Sequence, residues 1–269
     1  MSSTVAKALT LLDHFSENEP ELGLSDLARR SGIDKATVHR MLSVMADAGL
    51  VEQRHDTKLY RLGAGILRLA RIREKAFPFA TVLQPELDLL AQETGETAHA
   101  SLISGRALAT VGICESSKAN RVSLVVGEVL PFHATASGIA TLAFGTEELS
   151  ARVLAGPLDG KTSFTLTDPG RLNALIETAR QTGFGETDQT NEIDVYGIAA
   201  PYFDKTGLAC GAVAVATPSH RMTEALRGKI VGAVLRAAQV ITSGTGGKQP
   251  AGYPETVRKT LSSLPEGSA

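Results

Sequence analysis

From Leu24 to Gly63 the chain reads LSDLARRSG, then IDKATVHRMLSVMADAG, then LVEQRHDTKLYRLG. Two short helices joined by a tight turn need a small residue where they cross, a flexible residue in the turn, and apolar residues that hold the second helix at a steep angle. Ala28 supplies the first, Gly32 the second with Ile33 after it, and Val38, Met41 and Leu42 the third. A basic hairpin follows, with His55 to Lys58 as its turn between Leu50-Val51 and Leu59–Leu62. The whole reads as a winged helix-turn-helix. Upstream, Val5, Ala8, Leu9, Leu12 and Phe15 recur at helical spacing and predict a first helix that completes a three-helix core.

A plain helical hairpin would need the same glycine as a C-cap and the same apolar core. The outer face of the second helix separates the two readings. With Asp34 as N-cap, the residues left pointing outward are Lys35, Ala36, His39, Arg40 and Ser43. Lys35 and Arg40 reach phosphates or a guanine edge, whereas Ala36, His39 and Ser43 are short enough to admit the helix to a major groove. Thr37, beside the helix N-terminus, is placed for a phosphate. Arg54, Lys58 and Arg61 fall on the wing.

The overall charge of -2 looks wrong for a protein that binds a polyanion, but it is unevenly divided. Residues 24–75 hold 11 Lys and Arg against 6 Asp and Glu, a net of +5, which leaves -7 for the rest. The basic segment is the one carrying the helix-turn-helix, as phosphate binding requires.

At 269 residues the chain is long enough for two cores. Residues 1–63 read as the DNA-binding domain and residues 64–78 as a linker helix in which Ile66, Leu69, Ala70 and Ile72 share a face, with Arg68, Arg71, Arg73 and Lys75 elsewhere. Pro78 is expected to end it. Residues 79–243 read as an α+β domain. Its elements are a helix over 82–93, strands over 97–103, 107–114 and 121–126, helices from the FHATAS segment, 147–154 and 169–182, strands over 197–203 and 208–216, and a helix over 223–241. Gly105-Arg106 marks a hairpin turn. Residues 244–269, rich in Gly, Pro and Ser, are expected to be disordered.

Other chemistry finds little support. Cys114 and Cys210 lack metal-ligand spacing and read as small buried hydrophobes in a reducing compartment. His99 and His133 show no His-x-x-His pattern with each other, and Glu96 and Glu192 add none; His133 is expected to bond backbone. Asp188, Glu192 and Asp194 read as a solvated loop, because no nucleophile or oxyanion donor accompanies them. Gly183, Gly185 and Gly197 precede no Lys-Ser or Lys-Thr pair and make no phosphate loop. No 18-residue apolar run and no secretion signal are seen, so a cytoplasmic protein without membrane, metal or cofactor is expected.

Four segments, KATVHRML, KLYRLG, PFHATASGIATLAFG and GIAAPYFDKTGLACGAVAVATPSHRMT, make the chain resemble the IclR family of bacterial transcriptional regulators over residues 4 to about 243. The resemblance implies a winged helix-turn-helix, a linker helix and a GAF-like domain with an antiparallel sheet flanked by helices. It further implies homodimers or homotetramers on double-stranded operator DNA, repression more often than activation, and a small organic effector in the C-terminal domain. Ile139 stands where the family usually has Lys. The effector-pocket positions carried over by the resemblance are Ala136, Ser137, Thr187, Gly197, Ala214 and Ala216.

Alanine at 214 and 216 removes hydrogen-bond donors and leaves space, whereas a small carboxylate without donors bears its full desolvation cost. An effector larger or more apolar than a two- or three-carbon acid is therefore expected, its polar end met by Ser137, Thr187, His99 or the amides at the Ala136 helix start. The alternative, an enzyme with a DNA-binding head, needs a nucleophile or base held by a third group, and no such constellation is visible.

Overall fold

The computed structural model describes residues 4–16, 18–76 and 79–264, and the chain divides into two units between Phe77 and Pro78.

In the first unit, α1 (Thr4–Thr10) gives way to a 3-10 turn at Leu12–His14, and α2 (Leu24–Ser31) and α3 (Lys35–Asp47) form the helix-turn-helix. β1 (Glu21–Leu22) pairs with β3 (Tyr60–Leu62), which pairs in turn with β2 (Val51–Gln53). Gly32 ends α2 with φ at 66°, a conformation that a side chain disfavours. The core is Leu11, Leu22, Leu27, Val38, Met41, Leu42, Met45, Val51 and Tyr60, with Ala28 and Ile33 packed against it.

One expectation about α1 needs correction. The 3-10 turn changes the period after Thr10, so Leu11 becomes the buried residue and Ala8, Leu12 and Phe15 pack beside it. Val5 and Leu9 are left 68% and 51% exposed. The linker helix α4 (Ala64–Ala76) begins immediately after β3, and its Gly65 amide donates to the Gly49 carbonyl at 2.8 Å. The expected stop at Pro78 lies outside the described residues.

The second unit opens with α5 (Phe79–Thr94) and the hairpin β4 (Thr97–Ser104) and β5 (Ala107–Cys114). Next come β6 (Val129–Leu130), α6 (Ala136–Phe144), α7 (Glu147–Leu154) and α8 (Pro169–Thr182). β7 (Gly185–Asp188), β8 (Val195–Phe203), β9 (Ala209–Pro218), α9 (Glu224–Gly244) and α10 (Tyr253–Ser263) complete it. The six strands form an antiparallel sheet in the order β6-β5-β4-β9-β8-β7. Alternation assigns its two faces. Ala98, Ala100, Ile198, Ala200, Val213 and Val215 join the core under α5 and α9. Ala199, Ala212 and Ala214 meet Ala136 and Ala140 of α6 on the opposite face. These alanines let α6 lie close to the sheet; Gly138 brings α6 against the turn before it, and Gly185 of β7 brings the sheet against α6. A methyl at the former would overlap the Phe132 carbonyl, and one at the latter the Ala136 carbonyl.

Two further expectations are corrected. Residues 121–126 form no strand; their backbone leaves the sheet, and the Val122 carbonyl accepts from the Thr97 hydroxyl at 2.6 Å instead of joining a ladder. The tail, expected to be disordered, returns to the unit. Gly247 donates to the Thr242 carbonyl, Lys248 to the Asp204 carbonyl, and α10 packs Tyr253 between Phe144 and Phe203 at ring distances of 5.0 and 4.8 Å. The Tyr253 hydroxyl donates to the Gly183 carbonyl at 2.8 Å. A buried aromatic with a satisfied hydroxyl offsets the ordering cost of the glycine-rich stretch before it.

Candidate functional site

In the first unit, Asp34 caps α3 by accepting from the amides of Ala36 and Thr37 at 2.7 and 3.1 Å. The inward positions Val38, Met41, Leu42 and Met45 then turn Lys35, Ala36, His39, Arg40 and Ser43 to solvent. Thr37 is half-buried; its amide is committed to Asp34 and its hydroxyl accepts from Arg40 at 3.4 Å, so its backbone has no donor left for a phosphate. Val44, 69% exposed on the same helix, is an apolar surface that the sequence reading did not single out.

The three wing cations are not equivalent. Arg54 holds Asp56 through two bonds of 3.0 and 2.7 Å and approaches Glu21 at 3.4 Å. This guanidinium pulls the Asp56 carboxyl down to about 2. Arg61 holds Glu52 at 2.6 Å. Lys58, at the tip with φ at 60°, has no carboxylate partner among the described residues. Its charge is the uncompensated one, although exposed pairs like those of Arg54 and Arg61 are weak enough for phosphates to displace.

In the second unit the seven residues expected at an effector pocket, His99, Ala136, Ser137, Thr187, Gly197, Ala214 and Ala216, line one cavity of about 60 Å³. The sheet register explains how. His99 of β4 faces Ala214 of β9, and Gly197 of β8 faces Ala216, so these four side-chain positions are neighbours on the face turned toward α6. Ala136 and Ser137 are the first two residues of α6, whose N-cap Thr135 accepts from the Gly138 amide. The sequence reading missed Val122, Leu124, Leu130 and Val195, which make the remaining wall largely apolar. The first two come from the segment expected to be a strand. Thr190, a buried lining residue, donates its hydroxyl to the Ala134 carbonyl at 2.6 Å.

Two buried polar atoms at this cavity, His99 Nδ1 and Ser137 Oγ, have no hydrogen-bond partner among the described residues. Burial holds the His99 imidazole neutral, its pKa lowered to about 4. Unpaired buried donors and acceptors cost free energy, and a ligand that supplies the partner recovers it. Ile139, at the position where the family resemblance expects Lys, is fully buried in the cluster with Leu108, Leu130 and Phe132.

The other candidate residues are placed apart. Glu96 is bound to Lys118 and Arg221, and His133 meets the Asp159 carbonyl at 2.9 Å, as a backbone-bonding histidine should. Asp188 and Asp194 are exposed, whereas Glu192, also exposed, is the exception and lines the effector cavity beside Asn191. Cys114 and Cys210 are free thiols whose pKa burial raises, that of Cys210 to about 11. Among the described residues no helix is long and apolar enough to cross a membrane.

Comparison with known proteins accounts for both units. Residues 4–55 match the IclR helix-turn-helix domain, and residues 75–243 match the C-terminal domain of bacterial transcriptional regulator IclR. The Pca regulon regulatory protein of Pseudomonas putida is 30% identical over 82% of this chain and 76% of its own length. The transcriptional repressor IclR of Escherichia coli K12 is 26% identical over 91% and 90%. The crystal structure of an ICLR transcriptional regulator from Silicibacter sp. TM1040 superposes with a TM-score of 0.85 at 42% identity, covering 93% of this chain and 98% of that one. The relatives are regulators of transcription rather than enzymes, and with both of its units matched the chain belongs to the IclR family of bacterial transcriptional regulators.

Proposed function

We propose that this chain is a cytoplasmic repressor that holds a double-stranded operator through α3 and the wing and answers to a small organic effector bound between α6 and the sheet. The observation that carries the effector reading is the pair of unpartnered buried atoms, His99 Nδ1 and Ser137 Oγ, in an otherwise largely apolar cavity. The amides of Ala136 and Ser137 at the start of α6 add donors for an anionic or hydroxyl group. The body of the effector then rests on Val122, Leu124, Leu130 and Val195.

This division of polar end and apolar wall favours a compound larger or more apolar than a two- or three-carbon acid. A cavity of about 60 Å³ is tight for one, so binding of such an effector requires the cavity to widen. Repression as the sign of control is supported by the names of relatives such as the Escherichia coli repressor. Assembly into a homodimer or homotetramer is supported by α4, whose Leu67 and Ile72 are 73% and 56% exposed. A dimer sets operator half-sites about 10 base pairs apart, or a multiple of that.

Fluorescence-anisotropy titration of DNA from upstream of the chain's own gene, at two salt concentrations and with a panel of acids, tests the reading. Sequence-selective binding that one long-chain or aromatic acid alters is the expected result. Selective binding altered by glyoxylate or pyruvate alone would overturn the effector class, and no selective binding under any condition would overturn the regulator's mode of action.

A further inference from the structure

A second concavity, of about 390 Å³, opens on the other side of the segment that walls the effector cavity. Leu130, Ala134 and Thr135 line the effector cavity, whereas Pro131, Phe132 and His133 line this groove. One stretch of backbone, which turns between Leu130 and α6, therefore separates the two. The groove's rim carries Arg106 from the β4–β5 turn, Arg152 from the last turn of α7, and Lys161 from the loop beyond it. Among the described residues no carboxylate side chain lines it.

The cations of this groove differ from five arginines elsewhere in the unit. Arg121, Arg180, Arg221, Arg227 and Arg236 each hold a Glu carboxylate. Arg106, Arg152 and Lys161 hold none among the described residues, and the guanidinium of Arg152 makes only a long 3.5 Å bond to the Gly105 carbonyl. Three cations kept near one concave surface repel one another unless an anion sits between them. His133 ties the walls together: its Nε2 lies 2.9 Å from the Asp159 carbonyl, which can only accept, so Nε2 carries the proton and Nδ1 is left for another partner. Phe132 and Pro131 contribute an apolar floor.

We propose that this groove binds a compact small molecule carrying two or more negative charges, a polycarboxylate or a phosphate ester, at a site separate from the effector cavity. Guanidinium groups match both carboxylate and phosphate oxygens in paired geometry, and an ammonium adds a point charge. Duplex DNA does not fit the role, because the unit is acidic outside the groove and repels a polyanion that must lie across it.

Isothermal titration of the full-length protein, with citrate and with pyrophosphate as the two probes, tests the site and distinguishes carboxylate from phosphate. One site per chain is expected for at least one probe. Arg106→Gln and Arg152→Gln should each weaken it about tenfold, while Arg171→Gln elsewhere on the unit and Lys35→Ala on α3 leave it unchanged. All four positions are exposed, and circular dichroism checks that the variants fold. The proposal is overturned if neither probe binds saturably, if binding survives the Arg106→Gln/Arg152→Gln pair, or if Lys35→Ala abolishes it. Blocking the effector cavity with Ala216→Leu must also spare it; loss there would make the probe a ligand of the effector cavity and overturn the second site.

Discussion

Arg221 grips Glu96 with two hydrogen bonds of 2.9 and 2.8 Å across 125 positions of sequence, and the carboxylate between them is 0% exposed. Lys118 adds a third bond at 2.7 Å, and Arg221 also reaches the Asn120 carbonyl. Glu96 therefore fastens the loop that carries Val122 and Leu124 to the start of β4 and to the turn after β9.

Glu96→Gln keeps the shape and removes the charge, leaving Arg221 and Lys118 without their anion. Bonds to charged groups are worth about 1.5–3 kcal/mol each, but Arg221 keeps water and the Asn120 carbonyl as partners, so a net loss of about 2–3 kcal/mol is expected in urea unfolding of the second unit. Lys118→Ala should cost less than about 1 kcal/mol, because that ammonium is 44% exposed. Equal losses for the two would contradict an anchor centred on Arg221.

On DNA the cations should separate by kind. Arg40→Ala is expected to weaken operator binding by about 1–3 kcal/mol, and unequally across sequences, if its guanidinium reads a base edge. Lys58→Ala should weaken every sequence alike and lower the salt slope by about 1. Arg54→Ala should do less, since that guanidinium must first leave Asp56 and Glu21. Anisotropy at two salt concentrations distinguishes these patterns, and parental binding by both Arg40→Ala and Lys58→Ala would mean that α3 and the wing do not face the operator.

Much of this was legible because local pattern and tertiary placement agree. In GAVAVAT (211–217) valines and alanines alternate, and the structure sends valines to the α9 side and alanines to the α6 side. The helix-turn-helix was legible for the same reason. Residues 121–126 were not: RVSLVV alternates like a strand, yet the distant Thr97 hydroxyl takes the Val122 carbonyl, and Leu124 turns into a cavity that only the folded unit creates. The tail carried a signal that composition hid. Tyr253, Val257, Leu261 and Leu264 recur at helical spacing, and all four pack on the main core. The groove around Arg152 and Lys161 had no sequence signal, because its cations come from three separate segments.

The His99 imidazole makes the second unit sensitive to acid. Its pKa is about 6.5 in an unfolded chain and about 4 when buried, so the unfolded state binds the proton more tightly. Stability is fully present above about pH 6.5 and is lost as the pH falls toward 4, by about 3 kcal/mol at most. His99→Asn should flatten that part of the curve of unfolding free energy against pH. An unchanged slope would show that His99 binds its proton equally in the folded and unfolded states.

Tyr253 gives the tail a measurable role. Its ring fills the space between Phe144 and Phe203, and its hydroxyl holds the turn that ends α8. Tyr253→Phe loses only that hydrogen bond and should cost about 1 kcal/mol. Tyr253→Ala also loses the packing and should cost about 3–5 kcal/mol, as large aromatic deletions do. Ending the chain after Gly246 should cost at least as much and leave the two phenylalanines open to water, with increased binding of a hydrophobic dye. DNA binding at low temperature should persist in all three, because the helix-turn-helix has its own core around Leu27 and Leu42. Thermal melting of the parent and the truncated chain decides the matter: coincident curves would mean that α10 adds nothing to the unit, whereas a lower transition for the second unit alone makes the tail part of its fold.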